Sequence, residues 1–80
     1  MTIKQLYKRL SFIQNKFIST KLGSFDLTYF NSKHDMEFFS IYIHSGSNEI
    51  IFHDYYALDY KDLNDRLQKL KKFVDGLLNN

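Results

Sequence analysis

Residues 37–53 read EFFSIYIHSGSNEIIFH. Apolar side chains recur at every second position through Phe39, Ile41 and Ile43, and again through Ile50 and Phe52. That period of two belongs to strands with one buried face. Ser45 to Asn48 between them are turn formers. With Gly46 and Ser47 as a two-residue hairpin loop, Ile43 pairs with Ile50 and Ile41 with Phe52, and both apolar sets share one face. A slip of one residue would expose one set, so the alternation specifies which faces pair. Upstream, Phe25, Leu27 and Tyr29 continue the same pattern in a further strand. A polar turn over Asn31 to Asp35 joins it to the second, with Phe30 expected opposite Met36.

On either side of this block the apolar period changes to three and four. Ile3, Leu6, Tyr7, Leu10, Ile13 and Phe17 line one face of a helix expected from about Thr2 to Leu22. Thr2 and Gln5 have capping-box spacing, and Gly23 is a candidate left-handed terminator. Downstream, Tyr60, Leu63, Leu67, Leu70, Val74 and Leu77 mark a second helix. Asp59 is its expected N-cap, with Leu58 and Leu63 at the staple positions. Asp62 with Arg66, and Asp65 with Lys69, are i,i+4 pairs in the favourable order. The expected fold is therefore an α+β two-layer sandwich over residues 1–80. A helix, a three-stranded antiparallel meander and a helix follow in order, with both helices on one face.

The chain has 80 residues, of which 44% are hydrophobic and 25% charged, a globular composition for one small domain. Eight Phe and six Tyr are a heavy aromatic load at this length, and with no Cys no disulfide supplements the core. Its net charge of +2 hides a segregation. Residues 1–23 carry five basic side chains and no acid, whereas residues 24–60 carry six acids and one base. No apolar run could span a membrane, and Lys4, Lys8 and Arg9 interrupt any signal-peptide core. Without cysteine, a secretion signal or a lipidation motif, the expected location is cytoplasmic. Abundant Phe, Ile, Lys, Asn and Tyr beside scarce Gly, Ala, Arg and Pro indicate AT-rich codons. The expected source is a low-GC bacterium, its phage or a mobile element.

The second face of the sheet carries the most informative residues. Phe30, Phe38, Tyr42, Ile51, His53 and Tyr55 fall on it, with Met36 at its margin. In this register Phe38 is opposite Tyr55 and Tyr42 opposite Ile51. So much aromatic surface on one side of so small a chain implies a partner: a second copy, another protein or a wrapped terminus. Stacking of single-stranded nucleic acid is disfavoured by the acidity of this segment.

A second candidate surface is the outer face of the first helix, where Lys8, Arg9, Phe12 and Lys16 cluster without an acid. It suits phosphates or an acidic partner, with Phe12 as anchor. The element order is shared with the double-stranded RNA-binding domain. However, the second helix here opens Asp59, Tyr60, Lys61, Asp62 rather than with a run of lysines, and Lys33 and His34 match its minor-groove loop only superficially. Order alone does not set function.

Catalytic, metal and cofactor readings find little support. His34 lies in a turn, and His44 and His53 are expected about 13 Å apart by strand rise, too far to share one ion. His44 is expected opposite Glu49. Asp26, Ser40 and His53 would fall in one row, but with serine in the middle, which is the wrong order for a nucleophile triad. A flat sheet also lacks oxyanion donors and a water-excluding pocket. The glycines form no phosphate loop, and Asp54, Asp59 and Asp62 form no calcium loop. The function expected is a non-enzymatic protein-binding module without metal or cofactor, a homodimer, such as an accessory or inhibitor protein. The alternative is nucleic-acid binding through the basic face of the first helix.

Overall fold

A computed structural model describes residues 1–32 and 36–79. The chain runs α1 (Ile3–Ile18), β1 (Gly23–Asn31), β2 (Glu37–Ser45), β3 (Ile50–Tyr56) and α2 (Leu63–Leu78). The strands form one antiparallel sheet in the order β1-β2-β3, with both helices packed on one side. This is the α+β sandwich the alternation predicts. No helix is long and apolar enough to cross a membrane among the described residues.

The core lies between the helices and the inward residues of the strands. Leu6, Leu10, Ile13 and Phe17 of α1 meet Phe25, Phe39, Ile41, Ile43 and Tyr56 of the sheet and Leu63, Leu67, Leu70 and Val74 of α2. Every fourth or third residue of each helix is therefore buried, as an amphipathic stripe requires. Tyr7 belongs to the stripe by spacing but sits at its edge, half-exposed, with its ring 5.9 Å from Phe39. Phe73 extends the α2 stripe by packing its ring 5.1 Å from Phe52.

Capping decides the helix ends. The Thr2 hydroxyl accepts from the Gln5 backbone N–H at 3.2 Å, and the Gln5 side chain accepts from the Thr2 N–H at 2.8 Å, a complete capping box. At the other end α1 stops at Ile18, earlier than expected. Ser19 and Thr20 donate their hydroxyls to the carbonyls of Lys16 and Phe17, and Lys21 turns the chain at φ 59°. Such local bonds compete with the helix ladder. Gly23 does not terminate the helix; it opens β1, where a Cβ would overlap the carbonyl oxygen of His44. Close backbone approach explains that glycine. In α2, Asp62 rather than Asp59 is the N-cap, because Tyr60 and Leu63 first close turns on Ala57 and Tyr60. Leu58 is exposed, so the expected staple is loose. Arg66 ties this start to the sheet: it donates to Asp62 at 3.0 Å and to Asp54 of β3, with its guanidinium 4.8 Å above the Tyr60 ring.

Both strand registers differ from the expected ones by two residues. Phe30 pairs with Phe38 rather than Met36. Ile43 pairs with Phe52 and Ile41 with Asp54, rather than with Ile50 and Phe52. For the β2–β3 pair the turn between them is the cause. Ser45 and Glu49 close a three-residue loop in which the Asn48 N–H donates to the Ser45 carbonyl and Asn48, not a glycine, is left-handed at φ 67°. Asparagine tolerates that conformation, and three-residue loops commonly end in such a residue. A bulge follows, where His44 pairs with Ile50 immediately after Ile43 pairs with Phe52, leaving Ile51 as the extra residue. Ile50 is consequently 58% exposed instead of lying in the core. The expected turn over Asn31 to Asp35, with Lys33 and His34, lies largely outside the described residues.

Candidate functional site

Strand alternation places Asp26, Thr28 and Phe30 of β1, Phe38, Ser40, Tyr42 and His44 of β2, and His53 and Tyr55 of β3 on the face away from the helices. Among the described residues no element covers it. The shift of two residues preserves parity, so each of these side chains stays on its expected face.

Six rings form a continuous path across the three strands. Phe30 stacks on Phe38 with centroids 4.9 Å apart, and Phe38 meets Tyr55 edge-on at 5.9 Å. Tyr55 meets His53 edge-on at 4.8 Å, His53 stacks on Tyr42 at 3.9 Å, and Tyr42 stacks on His44 at 6.4 Å. Offset-stacked and edge-to-face geometries are those the ring quadrupole favours. The rings also bury what lies under them. Ser40 is only 4% exposed, although it sits on the uncovered face between Thr28 and Tyr55. The outer rings remain accessible, Phe30 at 44% and Tyr55 at 39%.

Asp26 is the one charged residue placed on this face by the described pairings. Its Oδ2 lies 3.6 Å from His44 Nδ1, too long for a hydrogen bond and an ion pair only with a protonated imidazole. Asp26, not Glu49, is therefore the carboxylate beside His44. Desolvation beside the neighbouring rings, with Tyr55 close by, raises the Tyr42 phenol above its ordinary range. The face is thus largely uncharged and aromatic.

The observed register also dismantles the apparent Asp26–Ser40–His53 row. Tyr42 stands between Asp26 and His53, while Ser40 is flanked by Thr28 and Tyr55. Both His44 and His53 contact Tyr42, closer together than the expected strand offset of four residues implies. Among the described residues, no group of three or more His, Cys, Asp and Glu is placed to hold a metal ion.

The other expected set lies on the opposite side of the molecule. Lys8, Arg9 and Phe12 are exposed on α1, and the Lys16 Nζ sits 5.0 Å from the Phe12 ring centroid. The two candidate surfaces therefore do not merge. Reading α1 alone missed one feature: α2 completes this second surface by contributing Leu67, Gln68, Lys71 and Asp75 to a groove beside it. The sequence signal for that groove was weak, since α2 is charged with both signs along its outer face. Compared with protein-family models, curated proteins and solved structures, the chain matches none of them.

Proposed function

We propose that this protein is a non-enzymatic protein-binding module that works as a homodimer, joined through the aromatic faces of two sheets. The observation that carries this reading is the uninterrupted path of six rings from Phe30 to His44 on a face that no element covers among the described residues. Strands of nine, nine and seven residues give a sheet face of about 30 by 14 Å. The six rings lie within that area, and contiguous exposed apolar surface on so small a chain is commonly functional. Two such faces stacked on a two-fold axis would supply the buried area that 80 residues lack on their own. The absence of Lys and Arg from the paired positions of the face disfavours nucleic acid, which needs cations along the phosphates. We place the protein in the cytoplasm of a low-GC bacterium, or among the products of its phage or mobile elements, as an accessory or inhibitor protein.

Light scattering coupled to size exclusion tests the dimer. The expected mass at micromolar concentration is twice 9.6 kDa. Tyr42→Lys, which removes a ring from the path and puts a charge beside Asp26 at the centre of the face that association would have to desolvate, should give a folded monomer with an unchanged circular dichroism spectrum. A wild-type monomer at high micromolar concentration would overturn the dimer.

A further inference from the structure

On the helix layer, α1 and α2 diverge enough to leave a groove of about 320 Å³, lined by residues of the two helices alone. Its floor is apolar: Ile13 and Leu67 are almost fully buried at its base. Phe12 forms one wall and is 63% exposed, the most exposed large apolar side chain of the chain's described residues. Around this floor stand Lys8, Arg9 and Lys16 from α1 and Lys71 from α2, against the single acid Asp75. None of these four cations has an ion-pair partner within 4.0 Å among the described contacts. Lys16 instead rests over the Phe12 ring, 5.0 Å from its centroid.

We infer that this groove is a docking site for an acidic, amphipathic peptide segment of a partner protein. Such a segment would place one aliphatic or aromatic side chain on the Ile13–Leu67 floor against Phe12, with flanking carboxylates on Lys8, Arg9, Lys16 and Lys71. Charge complementarity selects the acids, and the floor selects the apolar anchor between them. A groove of this size accepts one or two large side chains and is at the small end of ligand sites. Nucleic acid fits less well. Lys16 lies over one face of the only aromatic wall, so at most one base could stack there, where single-strand binding uses successive aromatic platforms. From Lys8 to Lys16 the basic ridge is about 12 Å long, enough for few phosphates, and Asp75 opposes them. This site is built within one copy of the chain and does not depend on the proposed dimer.

Selection of a randomised twelve-residue peptide library on the wild-type protein tests the inference, with counter-selection on a Phe12→Ser, Lys71→Glu double variant. Both positions are solvent-facing, so the variants should keep the wild-type circular dichroism spectrum. Enriched peptides should carry Asp or Glu on both sides of a Leu, Ile or aromatic residue. A synthetic peptide of that pattern should bind at least tenfold more weakly to either single variant, and equally well to Tyr42→Lys. Its affinity should fall with added salt and when its acids become Asn or Gln. Failure to enrich any peptide, enrichment of peptides without acids, or unchanged binding by the variants would overturn the site. So would loss of binding in Tyr42→Lys, or single-stranded DNA of the same length binding as tightly as the peptide.

Discussion

The two faces of β2 are built from alternate residues of one strand, yet they solve burial in opposite ways. On the covered face Ile41 and Ile43 are fully buried because two amphipathic helices supply their neighbours. On the open face Phe38, Tyr42 and His44 lie against other rings of the same sheet and remain partly accessible. Aromatic content alone does not separate them, since the covered face carries Phe39 beside the two isoleucines. What differs is the partner. Aliphatic side chains gain by leaving water against any apolar neighbour, whereas rings also gain by contacting one another at a surface.

Ile41→Ala would break the covered face most severely. A buried Ile truncated to Ala costs about 2–5 kcal/mol through lost transfer and a residual cavity. An 80-residue domain has a total stability of roughly 4–12 kcal/mol, so a large part of the reserve goes. Urea unfolding should show a much lower midpoint, and an unchanged midpoint would contradict the core assignment. Gly23→Ala is a change belonging to neither face. Its Cβ would collide with the His44 carbonyl and force the strands apart at one end of the β1–β2 ladder, at about 1–3 kcal/mol. Thermal unfolding measures it.

Phe38→Ala sharpens the contrast from the open side. At concentrations low enough to hold the chain monomeric it should cost about 1 kcal/mol, the scale of its contacts with Phe30 and Tyr55. At high concentration the cost should grow, because association then adds to apparent stability. A concentration-independent loss as large as that of Ile41→Ala would erase the distinction between the faces.

The smallest expected effect is inside the core. Tyr56 is fully buried, and its hydroxyl has no hydrogen-bond partner among the described residues. Tyr56→Phe removes a desolvated polar group and keeps the ring, so stability at neutral pH should be unchanged or slightly higher. Its pH dependence carries a sign. Burial, with Asp54 nearby as a lesser cause, pushes the Tyr56 phenol above its ordinary value of about 10. Tyr29, through its hydrogen bond to Glu37, and Tyr42, through desolvation, are raised as well. Above about pH 10 the unfolded chain releases these protons while the folded one retains them. The contribution of these tyrosines should thus be constant below about pH 10 and be lost in alkali, and the alkaline fall in stability should be shallower for Tyr56→Phe. Denaturant midpoints between neutral and alkaline pH would show an equal slope if Tyr56 were exposed.

Much of this was legible without coordinates. The Thr2–Gln5 box fixed the start of α1, and the spacing of Leu63, Leu67, Leu70 and Val74 fixed the inward stripe of α2. The six residues of the expected partner surface lie where alternation put them, save that Ile51 occupies the bulge rather than a paired position. What was not legible has a common cause. An alternating strand states which face a residue takes but not which residue lies opposite, since a shift of two leaves every face unchanged. The hairpin loop settles that choice, and a left-handed Asn48 is a weaker signal than the Gly46 beside it.

From sequence, then, came the element order, the sheet's two faces and the separation of a basic first helix from an acidic middle segment. These depend on local period and local charge, which a linear chain displays in full. Tertiary structure alone decided the register, the six-ring path and the groove in which Lys71 and Leu67 join Lys8, Phe12 and Lys16. Each joins residues distant along the chain, and only the packing of helix on helix and strand on strand sets their separation.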